Sequence, residues 1–295
     1  MNEPPGFRAA FFADTDAFGD IMKLIQLTDI HLTTPGQTIA DRDPNENFKK
    51  ALNHALSSHP DADRIVITGD LSDWGEKSDY ERLKAILSNV RIPVSLCIGN
   101  HDERDVFLSV FPEQADENGF VQAVFELPVG TGITLDTWGP DSHAGFYCEK
   151  RLGWLCDQLD KTAGPAFLFM HHNPVPIGID PMDKIMLLDA DAFAGVIAKY
   201  KHKIRHIFHG HCHLPLCGSL HGVPFSAPRG TNHAGWADFG NERNLSGSDL
   251  PEAYAVILTD DHSVMVHMIE YGYAGEVRRE GSPDYADWDR LTMVR

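Results

Sequence analysis

The chain has 295 residues, enough for one large domain or two small ones, with 42% hydrophobic and 23% charged residues. Its formal net charge of −18 argues against gripping a nucleic acid polymer by its phosphates. No apolar run approaches the roughly 20 residues of a membrane-spanning helix, so membrane insertion is not expected.

In chain order, residues 1–21 read as an N-terminal extension, flexible or the product of a start codon placed too early. They lack the basic region and apolar core of a signal peptide, and Met22 opens the first clear strand. Five short apolar runs then end in polar residues. "MKLIQL" runs into "TDIH", "RIVIT" into "GDLSD", "PVSLCI" into "GNHD", "AFLFM" into "HHNP" and "IRHIF" into "HGHCH". Near-continuous apolar runs of this kind suit strands buried on both faces. "FELPV" and "ITLDTW" are expected to form a hairpin turning at "GTG". Amphipathic helices are expected over 46–58, 78–89, 149–161 and 189–201, with Ser78 and Asp189 as N-caps. "LCGSLHGVPFSA" and "EAYAVILTDDHSVMVHMIEY" read as two further hairpins. The five cysteines are odd in number and form no C-x-x-C pair, which points to a reducing, cytoplasmic setting.

An α/β protein with helices covering central sheets follows, and its site belongs at the carboxyl ends of the strands. Each of the five runs deposits Asp, Asn or His at that end. One Asp after a strand is an ordinary turn residue or helix cap. Five such ends in an architecture that brings them together are not ordinary.

Read in order they are D-x-H (Asp29, His31), G-D-x-x-D (Gly69, Asp70, Asp73), G-N-H-D (Gly99 to Asp102), His171 after a strand, and G-H-x-H (Gly210, His211, His213). This order resembles the calcineurin-like metallophosphoesterase superfamily, and it covers residues 29–213. "GNHDERDVFL", "MHHNPVPIGIDPMD" and "RGTNHAGW" are similar to stretches of class III cyclic nucleotide phosphodiesterases and bacterial glycerophosphodiesterases. "GDLSDWG" lacks the Asp-Arg-Gly of the Ser/Thr protein phosphatases. Beyond about residue 236 the likeness is loose.

The resemblance implies a four-layer αββα fold, a central β-sandwich of mixed sheets flanked by helices. Residues 22–235 would be the catalytic core, and 236–295 a segment that completes the sheet and mediates homo-oligomerisation. It implies two metal ions, one held by Asp29, His31, Asp70 and His213, the other by Asp70, Asn100, His171 and His211. Asp70 would bridge them, since a carboxylate has two oxygens to share. Imidazole with carboxylate and amide oxygen suits Fe, Mn, Zn or Co better than Ca. Cys212, between two of these histidines, is expected to point away into packing; His206 and His209 read as structural, and His172 as a neighbour of the ligands.

Phosphodiesters hydrolyse slowly because an anionic phosphorus repels hydroxide and the alkoxide leaves poorly. Two metals about 3.5–4 Å apart would supply a bridging hydroxide near neutral pH and clamp the phosphoryl oxygens. They would also reverse the acidic field locally, which admits a small anionic substrate. His101 would protonate the leaving alkoxide or stabilise phosphoryl charge, with Asp73 orienting it. Asn100, His101 and His233 would face the substrate. The expected activity is hydrolysis of small phosphodiesters: cyclic nucleotides or glycerophosphodiesters, and organophosphonate monoesters as a further class. The rival enzyme readings are a phosphomonoesterase or a nuclease of the same superfamily. A metal-free scaffold should have substituted ligands, and here every ligand position carries its family residue.

Overall fold

Apolar strands that must be covered on both faces pair into two mixed sheets. The structure, a computed structural model, describes residues 21–277; residues 1–20 of the expected extension and the last part of the C-terminal segment lie outside the described residues. The first part of the chain runs β1 (Met22–Leu27), α1 (Pro44–Ser58), β2 (Arg64–Thr68), α2 (Lys77–Leu87), β3 (Val94–Cys97) and α3 (Arg104–Val110). Next come β4 (Ala123–Leu127), β5 (Gly130–Thr134), α4 (Glu149–Lys161), β6 (Ala166–Phe169), α5 (Asp180–Asp183), α6 (Ala190–Tyr200) and β7 (Ile204–Phe208). The remaining elements among the described residues are strands: β8 (Leu216–Leu220), β9 (Val223–Ala227), β10 (Ala234–Trp236), β11 (Ser246–Ser248), β12 (Tyr254–Thr259) and β13 (Val264–Ile269).

One sheet has the order β13-β12-β1-β2-β3 and the other β4-β5-β6-β7-β9-β8. Within them β1, β2 and β3 run parallel, as do β5, β6, β7 and β9. Parallel neighbours need crossovers, so the helices between them must lie on the sheet faces.

Three buried clusters define the layers. Met22, Leu24, Val66, Phe167, Phe169, Phe208 and Ile257 come from both sheets and form the core between them. Ile25, Ile65 and Leu96 face the other way, onto Phe48 and Ala51 of α1, Leu83 of α2 and Phe107 of α3. Ile133, Leu168 and Ile207 pack on Leu155 and Leu159 of α4 and Phe193 and Ile197 of α6. The result is helix, sheet, sheet, helix.

Local differences from the sequence reading have local causes. "GTG" is not a turn: Gly130 opens β5, and the turn is the Pro128–Val129 pair that follows β4. Pro128 lacks an N–H for the ladder, which favours the turn there. Ser78 lies inside α2, whose N-cap is Glu76. Asp189 does hold the N-cap position of α6, yet its carboxylate accepts the Tyr147 N–H at 2.7 Å and caps nothing. α1 begins two residues before its expected start because Asp43 accepts the Asn45 and Glu46 N–H groups at 2.9 and 3.2 Å, with Pro44 at the first helical position.

Candidate metal centre

The loops after β1, β2 and β3 meet those after β6 and β7 at the carboxyl ends of both sheets. Backbone bonds lace them together: Asp29 N–H donates to Gly69 O at 3.1 Å, His31 N–H to Asp70 O at 2.8 Å, and Gly210 N–H to His171 O at 3.0 Å. Asp29, His31, Asp70, His211 and His213 all adopt the left-handed conformation, with φ of 52, 46, 49, 68 and 51°. Such residues cost about 1–3 kcal/mol each and persist only where their surroundings dictate them. Glycine makes the crowding possible, since a Cβ on Gly99 would run into the Asp70 carboxylate and one on Gly69 into the His171 ring.

The hydrogen bonds of the ring nitrogens decide what this cluster can bind. His31 Nδ1–H donates to Asp73 Oδ1 at 3.0 Å, His171 Nδ1–H to Thr68 O at 2.8 Å, and His213 Nδ1–H to His233 O at 3.1 Å. His211 uses the other nitrogen, Nε2–H, which donates to Ile185 O at 3.1 Å. Each acceptor is a carboxylate or carbonyl, so each ring donates there and turns its other nitrogen toward the cluster, able to ligate once it carries no proton. That is how metal-binding histidines are held.

Those nitrogens converge with the carboxylates. Ligand atoms of Asp29, His31, Asp70 and His213 lie within 4.8 Å of one another, as do those of His171, His172 and His211. Asp70 divides its oxygens between the two groups: Oδ2 is 3.6 Å from His31 Nε2, and Oδ1 is 3.3 Å from His171 Nε2. Asn100 Oδ1 is 3.1 Å from His171 Nε2. Asp29 is fully buried, and its Oδ2 finds no hydrogen-bond partner among the described residues. A buried carboxylate oxygen left without a donor suits a cation. The residues fit divalent metal ions.

Electrostatics agree. Burial pushes the Asp29 carboxyl up, but His213 beside it outweighs this and holds it below the ordinary range. Asp70 behaves alike, with His171 the main opposing charge. In return Asp70 overcomes the burial of His171 and raises it to about 9, while His211, where burial dominates, falls to about 3.

A profile of the calcineurin-like phosphoesterase family matches residues 22–215. The chain belongs to that family. It is therefore a phosphoesterase that works with divalent metal ions. A relative in Rhodopseudomonas palustris, named a probable cyclic nucleotide phosphodiesterase, is 37% identical over 259 residues, covering 86% of this chain and 94% of its own. The 3',5'-cyclic adenosine monophosphate phosphodiesterase of Pseudomonas aeruginosa is 30% identical over 206 residues, covering 68% and 73%. Among solved structures, a dimetal phosphatase from Danio rerio superposes with a TM-score of 0.65 at 14% identity, covering 85% of this chain and 96% of its own; that likeness is one of fold.

The other family positions fall as follows. Asp73 gives its carboxylate to His31 and only its backbone carbonyl to His101, whose Nδ1–H donates there at 3.0 Å; the side-chain oxygen is 3.6 Å from His101. Cys212 is 2% exposed and packs with Ile179, Met182 and Leu214, away from the cluster. His206 pairs through Nε2 with Ser226 Oγ at 2.9 Å, and His209 Nδ1 lies 3.1 Å from Gly210 O, so both are structural. His172 stands against His171 and His211 but is occupied by Thr137 Oγ1 at 2.8 Å and His143 O at 3.3 Å. His233 lies with its ring centroid 4.2 Å from that of His213 and 5.3 Å from that of His31.

A cavity of 660 Å³ opens over the centre, and its lining includes Asp70, Asn100, His101, His211, His213 and His233. Ile179, Pro181, Met182, Leu214, Trp236 and Leu245 give it an apolar wall, and Arg243 also lines it. Sequence reasoning missed His143, whose Nδ1 is 2.9 Å from Asn100 Nδ2 and which lines the cavity too. It follows no strand, so nothing in the local pattern marks it.

Proposed function

We propose that this chain hydrolyses small phosphodiesters at a centre of two divalent metal ions, with cyclic nucleotides and glycerophosphodiesters as the first substrate classes. The observation that carries the reading is Asp70, whose two oxygens face two separate histidine groups. A single-ion site needs no such division. Both relatives reported above are named as phosphodiesterases, one of them as a probable one, which supports the diester.

When bound, the ions supply a nucleophile from water near neutral pH and positive charge for the phosphoryl oxygens. The protein does the rest. Asp29, His31 and His213 would hold one ion, Asn100, His171 and His211 the other, and Asp70 would serve both. His101 is 31% exposed at its side chain and lines the cavity. Its Nδ1–H is committed to Asp73 O, which leaves Nε2 to hand a proton to the leaving alkoxide or to steady phosphoryl charge. The lining of apolar side chains suits the organic part of a substrate, and the cavity lies within the usual range for small ligands.

The test is turnover of the Mn²⁺-loaded protein on a panel of diesters and matched monoesters. The expected result is a higher kcat/KM for diesters. A preference for the monoesters would replace this reading with a phosphomonoesterase. His101→Ala should keep its metal yet lose about 10²–10⁴-fold in rate with a ribose or glycerol alkoxide, and less with p-nitrophenolate, which needs no proton. Equal losses on both would mean that His101 only positions phosphate.

A further inference from the structure

Beneath the metal ligands, two buried carboxylates brace each other's loops. From the loop after β2, Asp70 Oδ1 accepts the His101 N–H at 2.9 Å. From the loop after β3, Asp102 reaches back: Oδ2 accepts the Leu71 N–H and Oδ1 the Ser72 N–H, both at 3.0 Å. Asp102 also takes the Gly99 N–H at 2.7 Å and the Tyr80 O–H at 2.9 Å. Its own backbone carbonyl accepts the Trp138 indole N–H. Asp102 is 1% exposed and does not line the cavity. Four donors on one buried carboxylate fix it firmly, because each would be left unsatisfied without it.

We infer that Asp102 is a positioning residue that holds Asp70 and Asn100 in register, so that affinity at both metal positions depends on it together. This rests on the reading of Asp70 as the shared ligand. The reason lies in where the anchors fall. Leu71 and Ser72 directly follow Asp70, and Asn100 and His101 sit between the carboxylate's own residue and Gly99. One side chain therefore fixes the loop that supplies the shared ligand and the loop that supplies Asn100 and His101. Asn at this position keeps one oxygen, and its amide group faces two donors that it cannot accept.

Three variants test this. In Asp102→Asn, equilibrium dialysis with Mn²⁺ should show weaker binding at both positions by about 10–100-fold, the range for groups that orient metal ligands. Hydrogen exchange of the metal-free protein should quicken at the Leu71, Ser72 and Gly99 amides. Tyr80→Phe removes one donor and leaves three, and should cost less than Asp102→Asn. Leu83→Ala, in the core beneath α2, the helix that carries Tyr80, should lower stability while keeping Mn²⁺ affinity. The inference is overturned by wild-type Mn²⁺ affinity in Asp102→Asn, by loss at one position alone, or by equal loss in Leu83→Ala. Asp70→Asn separates the two failures. If it keeps both metals, the shared-ligand reading falls and takes this inference with it. If it loses them while Asp102→Asn does not, only this inference falls.

Discussion

The Asp73 carboxylate accepts the Nδ1–H of His31 at 3.0 Å, while only its backbone carbonyl serves His101. Asp73 thereby sets the tautomer of His31 and presents its Nε2 to the cluster. Asp73→Asn should weaken Mn²⁺ binding by about 10–100-fold, and its rate loss should shrink at saturating metal. A variant with unchanged Mn²⁺ affinity and a leaving-group-dependent defect would instead make Asp73 a partner of His101 alone.

Asp70→Ala should remove both metals and lower kcat/KM by more than about 100-fold, beyond what an orienting group costs. Cys212→Ser should keep its metal, because the thiol packs among Ile179, Met182 and Leu214. Metal analysis of the two purified variants decides it. Retention by the first or loss by the second contradicts the ligand assignment.

Metal binding should release protons. With His171 raised to about 9 by Asp70, its ring is protonated at neutral pH and must shed that proton to act as a ligand. Apparent Mn²⁺ affinity should therefore rise with pH between 6 and 8, by about tenfold per unit for each proton displaced. Calorimetry in two buffers of different ionisation enthalpy counts the protons, and a count of zero at pH 7 refutes the coupling.

His206 should make the fold acid-sensitive. Burial holds it at about 4, below its ordinary 6.5, so the unfolded chain binds the extra proton. Stability from this residue is complete above pH 6.5 and is lost as the pH falls toward 4. Between pH 7 and pH 5 the loss is about 2 kcal/mol. Urea unfolding in the presence of a chelator should show that much less acid sensitivity in His206→Asn. An identical pH dependence in wild type and variant counts against it.

β10 and the segment after it expose Trp236 (55%), Phe239 (74%), Leu245 (53%) and Leu250 (37%). Apolar side chains gathered in one segment are the usual mark of a contact surface. The protein is expected to associate with copies of itself, most simply as a symmetric dimer. Light scattering after size exclusion should give a mass above that of the 32.8 kDa chain at micromolar concentration, and a monomer mass rejects the expectation.

The sequence by itself determined the strands that carry Asp29, Asp70, Asn100, His171 and His211, because unbroken apolar runs ending in polar residues admit little else in an α/β chain. It also separated Cys212 from its neighbours, since alternate residues point opposite ways. It did not determine partners set by distance through space. Which oxygen of Asp73 serves which histidine, the place of His143 beside Asn100, and the brace between Asp70 and Asp102 all depend on loops from different strands meeting. The β10–β11 hairpin was equally hidden, because three-residue strands of Ala, Gly, Ser and Trp carry no periodicity to read. Hydrophobic patterning works along the chain and fixes the sheets. Hydrogen-bond satisfaction in a buried polar centre works across it, and only the packed sheets decide which donor each acceptor can reach.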